Sequence, residues 1–225
     1  MKKTVLDIAK SVMGELSFTV PQSLLSSSDA LNQQVKFLII GACEELILAH
    51  EWEFLQKEFS IVLNGSEFYT LPTDLDRIIS GSFYVENQVR TVVGSQTPAE
   101  FNQIKNSAAG GANIHVRVVG NRLQVYPTSA TGTMKFVYIS NNYIMNSAGT
   151  EFKNGFEQDS DIPMFYSRLI VAFTKLKLLQ TKGLDTVAAT VDFNEILDFA
   201  KNKDVPAPIA FFGKQEIPVQ MVRMQ

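Results

Sequence analysis

The sequence predicts an α+β fold: a helical bundle built from both chain ends, an inserted antiparallel β domain and an extended C-terminal arm. Three observations predict it. Helical periodicity falls in two blocks, one near each end, while period-two alternation is confined to the middle. Strands clustered between helix pairs indicate α+β architecture, not alternating α/β layers. The last stretch is apolar yet proline-spaced, with neither period. The implied division is 1–55 for the N-terminal helices of the bundle, 56–145 for the β domain, 146–202 for a loop and the C-terminal helices, and 203–225 for the arm.

Val5, Ile8, Ala9, Val12, Met13 and Leu16 recur at three- and four-residue intervals and mark one face of a first helix ending near Gly14. Pro21 and Ser26 to Asp29 form a connector, with Ser28 or Asp29 placed to accept the orphan amides of the next helix. Leu31, Val35, Leu38, Ile39, Ala42, Leu46 and Ala49 continue that second helix to about His50. After Trp52 the period changes. Phe59, Ile61 and Leu63 lead to Asn64-Gly65 and then to Glu67–Leu71, which predicts a hairpin with a type I′ turn. Further strands are expected at Ile78–Val85, Val89–Val93, Ile114–Val119, Arg122–Tyr126 and Thr133–Ile139, with Gly120-Asn121 turning a second hairpin. Thr97-Pro98-Ala99-Glu100 reads as a capping box opening a short helix to about Lys105, followed by a loop over Asn106–Ala112.

Asn141–Asp161 reads as a long, exposed polar connection. Asp161 with Pro163 should start a third long helix, with Phe165, Leu169, Ile170, Phe173, Leu176 and Leu179 on its apolar face and Gly183 closing it. A last helix is expected over Thr186–Lys201, apolar at Val191, Ile196, Leu197 and Phe199. Lys203–Gln225 carries Pro206, Pro208 and Pro218 and reads as the arm.

Composition narrows the function. With 45% hydrophobic and 19% charged residues in 225, the chain can bury a core and is not of the disordered class. Twenty basic against 23 acidic residues, net −3, argue against a dedicated electrostatic nucleic-acid binder. The single cysteine, Cys43, excludes an internal disulfide and a Cys-rich zinc site, and its apolar neighbours make it a buried hydrophobe. No signal peptide or membrane span is legible, so a reducing, cytosol-like compartment is expected.

Chemistry-bearing residues are sparse. His50 and His115 lie far apart in sequence, without a nucleophile motif, and read as capping or solvated side chains. Gly110-Gly111 lacks the Gly-Lys-Ser/Thr continuation of a phosphate loop. Asp74 and Asp76 lack the rest of a calcium loop and read as turn formers, and Asp161 of the Asp159/Asp161 pair reads as a helix cap. Lys175, Lys177 and Lys182 read as a solvated helix face, and Arg117 and Arg122 as residues flanking a turn. No catalytic residue, metal ligand or cofactor is therefore expected. The arm is more informative: its apolar residues Ile209, Phe211, Phe212, Ile217, Val219, Met221 and Val222 either pack on their own subunit or bind a neighbour or partner as an extended segment. Partner binding is the reading adopted for them.

Trp52-x-x-Leu55-x-x-Glu58, then Tyr69-x-Leu71-Pro72-x-Asp74-x-x-Arg77-Ile78, resembles the β-domain entry of head-to-tail adaptor proteins of short-tailed bacteriophages, also called connector or tail tubular protein A-like proteins. Leu123-x-Val125-x-Pro127, Phe136-x-Tyr138 and a Pro163-led helix follow in similar order, so the resemblance spans roughly 1–202. Trp52, Leu55, Tyr69, Leu71, Pro72 and Asp74 are its structural anchors: Trp52 and Leu55 should fix the helix-to-strand transition, while Pro72 ends a strand and Asp74 sets a turn. The resemblance implies a virion structural protein at the head–tail junction, made in the host cytoplasm. It implies a ring, usually dodecameric, docked under the portal protein and bound below to the tail tube or nozzle, with neighbouring copies side by side. DNA would pass through its lumen without sequence-specific binding, and no membrane is involved. A head-to-tail ring needs two different complementary faces per subunit. Another phage tail or capsid-associated interaction protein, and a small hydrolase using His50 or His115, are the alternatives.

Overall fold

A computed structural model describes residues 2–88, 90–94, 96–107 and 113–204. The fold is mixed α+β, with five α-helices and three β-sheets among the described residues. Helix α1 (Val5–Glu15) is opened by Thr4, whose hydroxyl accepts from the Asp7 amide while Asp7 accepts back from the Thr4 amide. Helix α2 (Ala30–Ala49) is capped by Asp29, which accepts from Leu31 and Asn32. Trp52 follows, then a 3-10 turn at Glu53–Leu55 that delivers the chain into strand β1 (Gln56–Asn64).

The Asn64-Gly65 hairpin does not form. β1 pairs along its whole length with a later strand, and β2 (Phe68–Thr70) belongs to a different sheet. Of the two turn residues Gly65 alone has positive φ, at 91°. Asn64 instead accepts from the Ser66 amide and the Tyr69 hydroxyl, and its own amide donates to Tyr69 Oη, so the dipeptide is a corner between sheets. Nine long-range pairs outweigh a two-residue turn preference.

The expected strand Ile78–Val85 is broken into β3 (Leu75–Ile78) and β4 (Tyr84–Val85) by a turn with positive φ at Gly81. Val89–Val93 is reduced to β5 (Val92–Val93) among its described residues. Helix α3 (Pro98–Ser107) carries the expected Thr97/Glu100 capping box. β6 (Ile114–Val119) and β7 (Arg122–Tyr126) form the expected hairpin, with positive φ at Gly120 alone. β5 and β6 pair in parallel across α3, so the β region is not purely antiparallel. β8 (Thr131–Ser140) is the central strand of the first sheet: β1 lies on one edge, and β3 and then β4 lie along the other. The second sheet runs β2-β7-β6-β5.

Asn141–Asp161 is more than an exposed connection. β9 (Ile144–Met145), β10 (Phe152–Lys153) and β11 (Ile162–Pro163) make a small third sheet, and Tyr143, Ile144 and Asp161 are buried. Pro163 therefore sits in a strand, and helix α4 (Ser167–Thr181) begins after Tyr166 without a side-chain cap. Asp161 does not cap it; its carboxylate accepts from the Glu157 and Gln158 amides and pairs with Lys153 at 3.0 Å. α4 buries residues on most of its circumference and packs against α1, α2 and helix α5 (Val187–Asp204). On α5, Ile196 and Leu197 pack inward as expected, but Val191 and Phe199 are more than half exposed.

The described residues form two cores. One gathers side chains of α1, α2, α4 and α5 with Trp52, Leu55, Tyr143 and Phe165. The other lies between the first two sheets, where Ile61, Leu63, Met134 and Phe136 meet Ile114, Val116, Leu123 and Val125. β8 serves both: Met134, Phe136 and Tyr138 point into the sheet core, while Ile139, on the opposite face by the two-residue period, enters the helical core.

Candidate functional site

The residues singled out between Trp52 and Ile78 converge on the joint between the two cores. Trp52 is 2% exposed, donates Nε1–H to the Leu46 carbonyl at 2.5 Å, and meets Phe165 edge-on. Leu55 is buried beside it in the helical core. Both thus fix the helix-to-strand transition. Leu71 is buried in the sheet core, and Pro72 follows it before β3 begins.

Asp74 is more than a turn former. Its carboxylate accepts from Lys57 Nζ at 2.6 Å, Ser140 Oγ at 2.7 Å and Tyr138 Oη at 3.0 Å, and its carbonyl accepts from the Asn141 amide at 2.8 Å. It therefore ties the start of β3 to both β1 and the end of β8. Burial works to raise its pKa, but hydrogen bonds from Lys57, Ser140 and Tyr138, with the Lys57 charge, outweigh that and hold it below the usual carboxylate range. Reciprocally, burial and then the Asp74 hydrogen bond push the Tyr138 phenol up to about 12.

Arg77 completes the joint. Its Nη2 donates to the carbonyls of Ile47 at 3.1 Å and His50 at 3.0 Å, the last turn and cap of α2, while Asp76 holds its Nη1 at 2.8 Å. A cation on orphan carbonyls at a helix C-terminus is electrostatically favourable. Within four residues, the sequence thus clamps the sheet edge to itself through Asp74 and to the helices through Arg77.

The other candidates have structural settings. His50 ends α2, packs edge-on against Trp52 and lies 3.7 Å from Asp204, whose carboxylate also accepts from the Glu53 amide. His115 is in β6 opposite Tyr126 and is neither a cap nor solvated: it is buried, with Nδ1 lacking a hydrogen-bond partner, and it sits in a different unit from His50. Burial drives the Cys43 thiol pKa far up, with Glu44 adding to it, which leaves a poor nucleophile. Asp159 accepts from Ser23 Oγ and the amides of Leu24 and Leu25, pinning the α1–α2 connector. Lys175 and Lys177 do more than solvate: they reach Glu15 and Glu45 on neighbouring helices. Among the described residues no group of three or more His, Cys, Asp or Glu is arranged to hold a metal ion, and no helix is long and apolar enough to cross a membrane. The arm residues Ile209, Phe211, Phe212, Ile217, Val219, Met221 and Val222 lie outside the described residues.

Two surface features had no legible sequence signal. One is a set of exposed apolar side chains: Phe37 and Leu48 on α2, Leu184 just before α5, and Val187 and Val191 in its first turns. α4 packs against both helices. The other is a groove of about 380 Å³ lined by Trp52, Phe54, Phe165, Tyr166, Phe199 and Lys203 among others. Its aromatics come from three separate stretches of sequence with no common period, which is why pattern reading misses it. No protein-family model matches the chain, and a search of curated proteins finds no match to it.

Proposed function

We propose that the chain is a structural protein, a head-to-tail adaptor of a short-tailed bacteriophage that joins the portal to the tail and forms part of the DNA conduit. The observation that carries the reading is the joint. The Tyr69–Ile78 stretch, on which the resemblance chiefly rests, supplies both Asp74 and Arg77, which couple the sheet edge to itself and to the helices. A protein transmitting contact from one body to another needs such a rigid coupling more than it needs a pocket. In this reading the helices of both chain ends form one bundle that packs laterally in the ring, and the β region projects to meet the tail tube or nozzle. The exposed apolar side chains on α2 and at the start of α5 support lateral packing, because head-to-tail closure uses two unlike faces. The C-terminal arm contacts the portal or a neighbouring copy. Weak lateral contacts become effective once a ring template concentrates the subunits, so the free protein is monomeric.

The test is electron microscopy of the protein mixed with purified portal rings. Added density of matching rotational symmetry beneath the portal is expected; rings that stay bare at saturating protein refute the proposal.

A further inference from the structure

We propose that the groove beside Trp52 is the seat of the chain's own segment Val205–Phe212, occupied in the free subunit. Its floor is apolar and buried: Trp52, Phe165 and Ala200 are 2%, 1% and 7% exposed. Its walls are not. Tyr166 is 50% and Phe199 56% exposed, with ring centroids 6.3 Å apart, and Lys203 Nζ lies 5.9 Å from the Tyr166 ring centre. Two adjacent, half-exposed aromatic rings over an apolar floor call for a covering surface.

The position of the groove selects the occupant. Phe199, Ala200, Lys203 and Asp204 belong to the last turns of α5 and line the groove themselves. Asp204 is held there by the Glu53 amide at 2.7 Å, so the described residues end at the rim. No linker has to be closed before contact, and the effective concentration of the segment is high. The segment reads Val-Pro-Ala-Pro-Ile-Ala-Phe-Phe. Pro206 and Pro208 restrict the backbone toward a polyproline II helix, which docks on aromatic-lined grooves at low entropic cost. Eight such residues span roughly 25 Å, enough to cross the groove and bring Ile209, Phe211 or Phe212 onto its walls. The arm is thereby divided: its proximal part anchors on its own subunit, and Ile217, Val219, Met221 and Val222 remain for a partner. This inference stands independently of the adaptor reading, since a seated segment needs neither a ring nor a portal.

The test is limited chymotrypsin digestion of the full chain at high dilution, following release of Gly213–Gln225 by mass spectrometry. Cleavage after Phe212 tracks the fraction of unseated segment when opening is fast. Tyr166→Ser combined with Phe199→Ser removes the walls, both half exposed, and should speed release about tenfold, as a loss of about 1.4 kcal/mol requires. Pro206→Gly with Pro208→Gly should speed it too, while leaving residues 2–204 untouched. Phe37→Ser, an exposed aromatic on α2, should change nothing. Equal release from the parent and both double variants overturns the proposal. So does protection that appears only when the protein is concentrated, which would assign the groove to another copy's segment.

Discussion

Replacing Asp74 by Asn tests the joint most directly, because it removes one charge and keeps the shape. The native carboxylate accepts three side-chain hydrogen bonds. Its partners Ser140 and Tyr138 are 0% and 4% exposed, so neither hydroxyl can turn to water instead. The Asn carbonyl oxygen can keep one of them. The other faces the Asn NH2 group, from which it can only accept, so its own O–H loses its acceptor at a cost of about 1–3 kcal/mol. The half-exposed Lys57 pair adds at most about 1 kcal/mol. The expected loss is therefore about 1–4 kcal/mol at pH 7, at roughly 2–4 °C in Tm per kcal/mol for a chain of this size. The pH dependence supplies a second check. Asp74 is depressed in the folded state, so its contribution is present above the unfolded pKa of about 3.9 and is lost as pH falls through the lower folded value. The gap between wild type and variant should be constant from pH 7 to about 5 and close below pH 4. Taking the difference cancels the other depressed carboxylates, among them Glu15, Asp159 and Asp161. Thermal melts of both proteins across that range measure it. A gap below about 0.5 kcal/mol at pH 7, the ordinary size of a surface substitution, would refute the reasoning, as would one unchanged at pH 3.

Arg77→Ala removes two charge-assisted bonds to the end of α2 and should cost about 2 kcal/mol, with faster hydrogen exchange in that helix's last turn; unchanged exchange there would refute the clamp. Asp159→Ala frees the Ser23 hydroxyl and the Leu24 and Leu25 amides, should cost about 2–3 kcal/mol, and should open the α1–α2 connector to proteases, a sensitivity that limited digestion would reveal. Cys43, buried and with its thiol pKa raised, should resist a thiol reagent at pH 8 in the folded protein and react fully in denaturant; rapid native labelling would contradict its placement.

Local signals are sufficient where a few neighbouring residues decide the outcome. Asp29 at the start of α2, the Thr97/Glu100 box and the Gly120-Asn121 hairpin are set within four residues, and all three form. Asn64-Gly65 carries a stronger turn signal than Gly120-Asn121 and fails, because β1's partner lies some seventy residues on and pairs with nine of its residues. Asp161-x-Pro163 failed as a helix start for a similar reason. β9 recruits that stretch into a sheet, and the amides of Glu157 and Gln158 take the carboxylate. In the joint, Trp52 and Leu55 were legible as core anchors because burial follows side-chain type. The partners of Asp74 were not, since Lys57, Tyr138 and Ser140 reach it only through the pairing of three strands.

The joint should also keep the two cores from moving as loosely tethered units. A two-residue period puts adjacent residues of one strand on opposite faces, and β8 uses this at Tyr138 and Ile139 to enter both cores within one residue. Swinging one core against the other would pull Ile139 from the helices, break the Arg77 bonds to α2 and strain the Asp74 bonds at the end of the same strand. These penalties fall on one motion, so they act together. A load applied to the sheets should then be carried to the helices through β8 and β3 instead of being absorbed by a hinge, which is the mechanical property the proposed adaptor role would require.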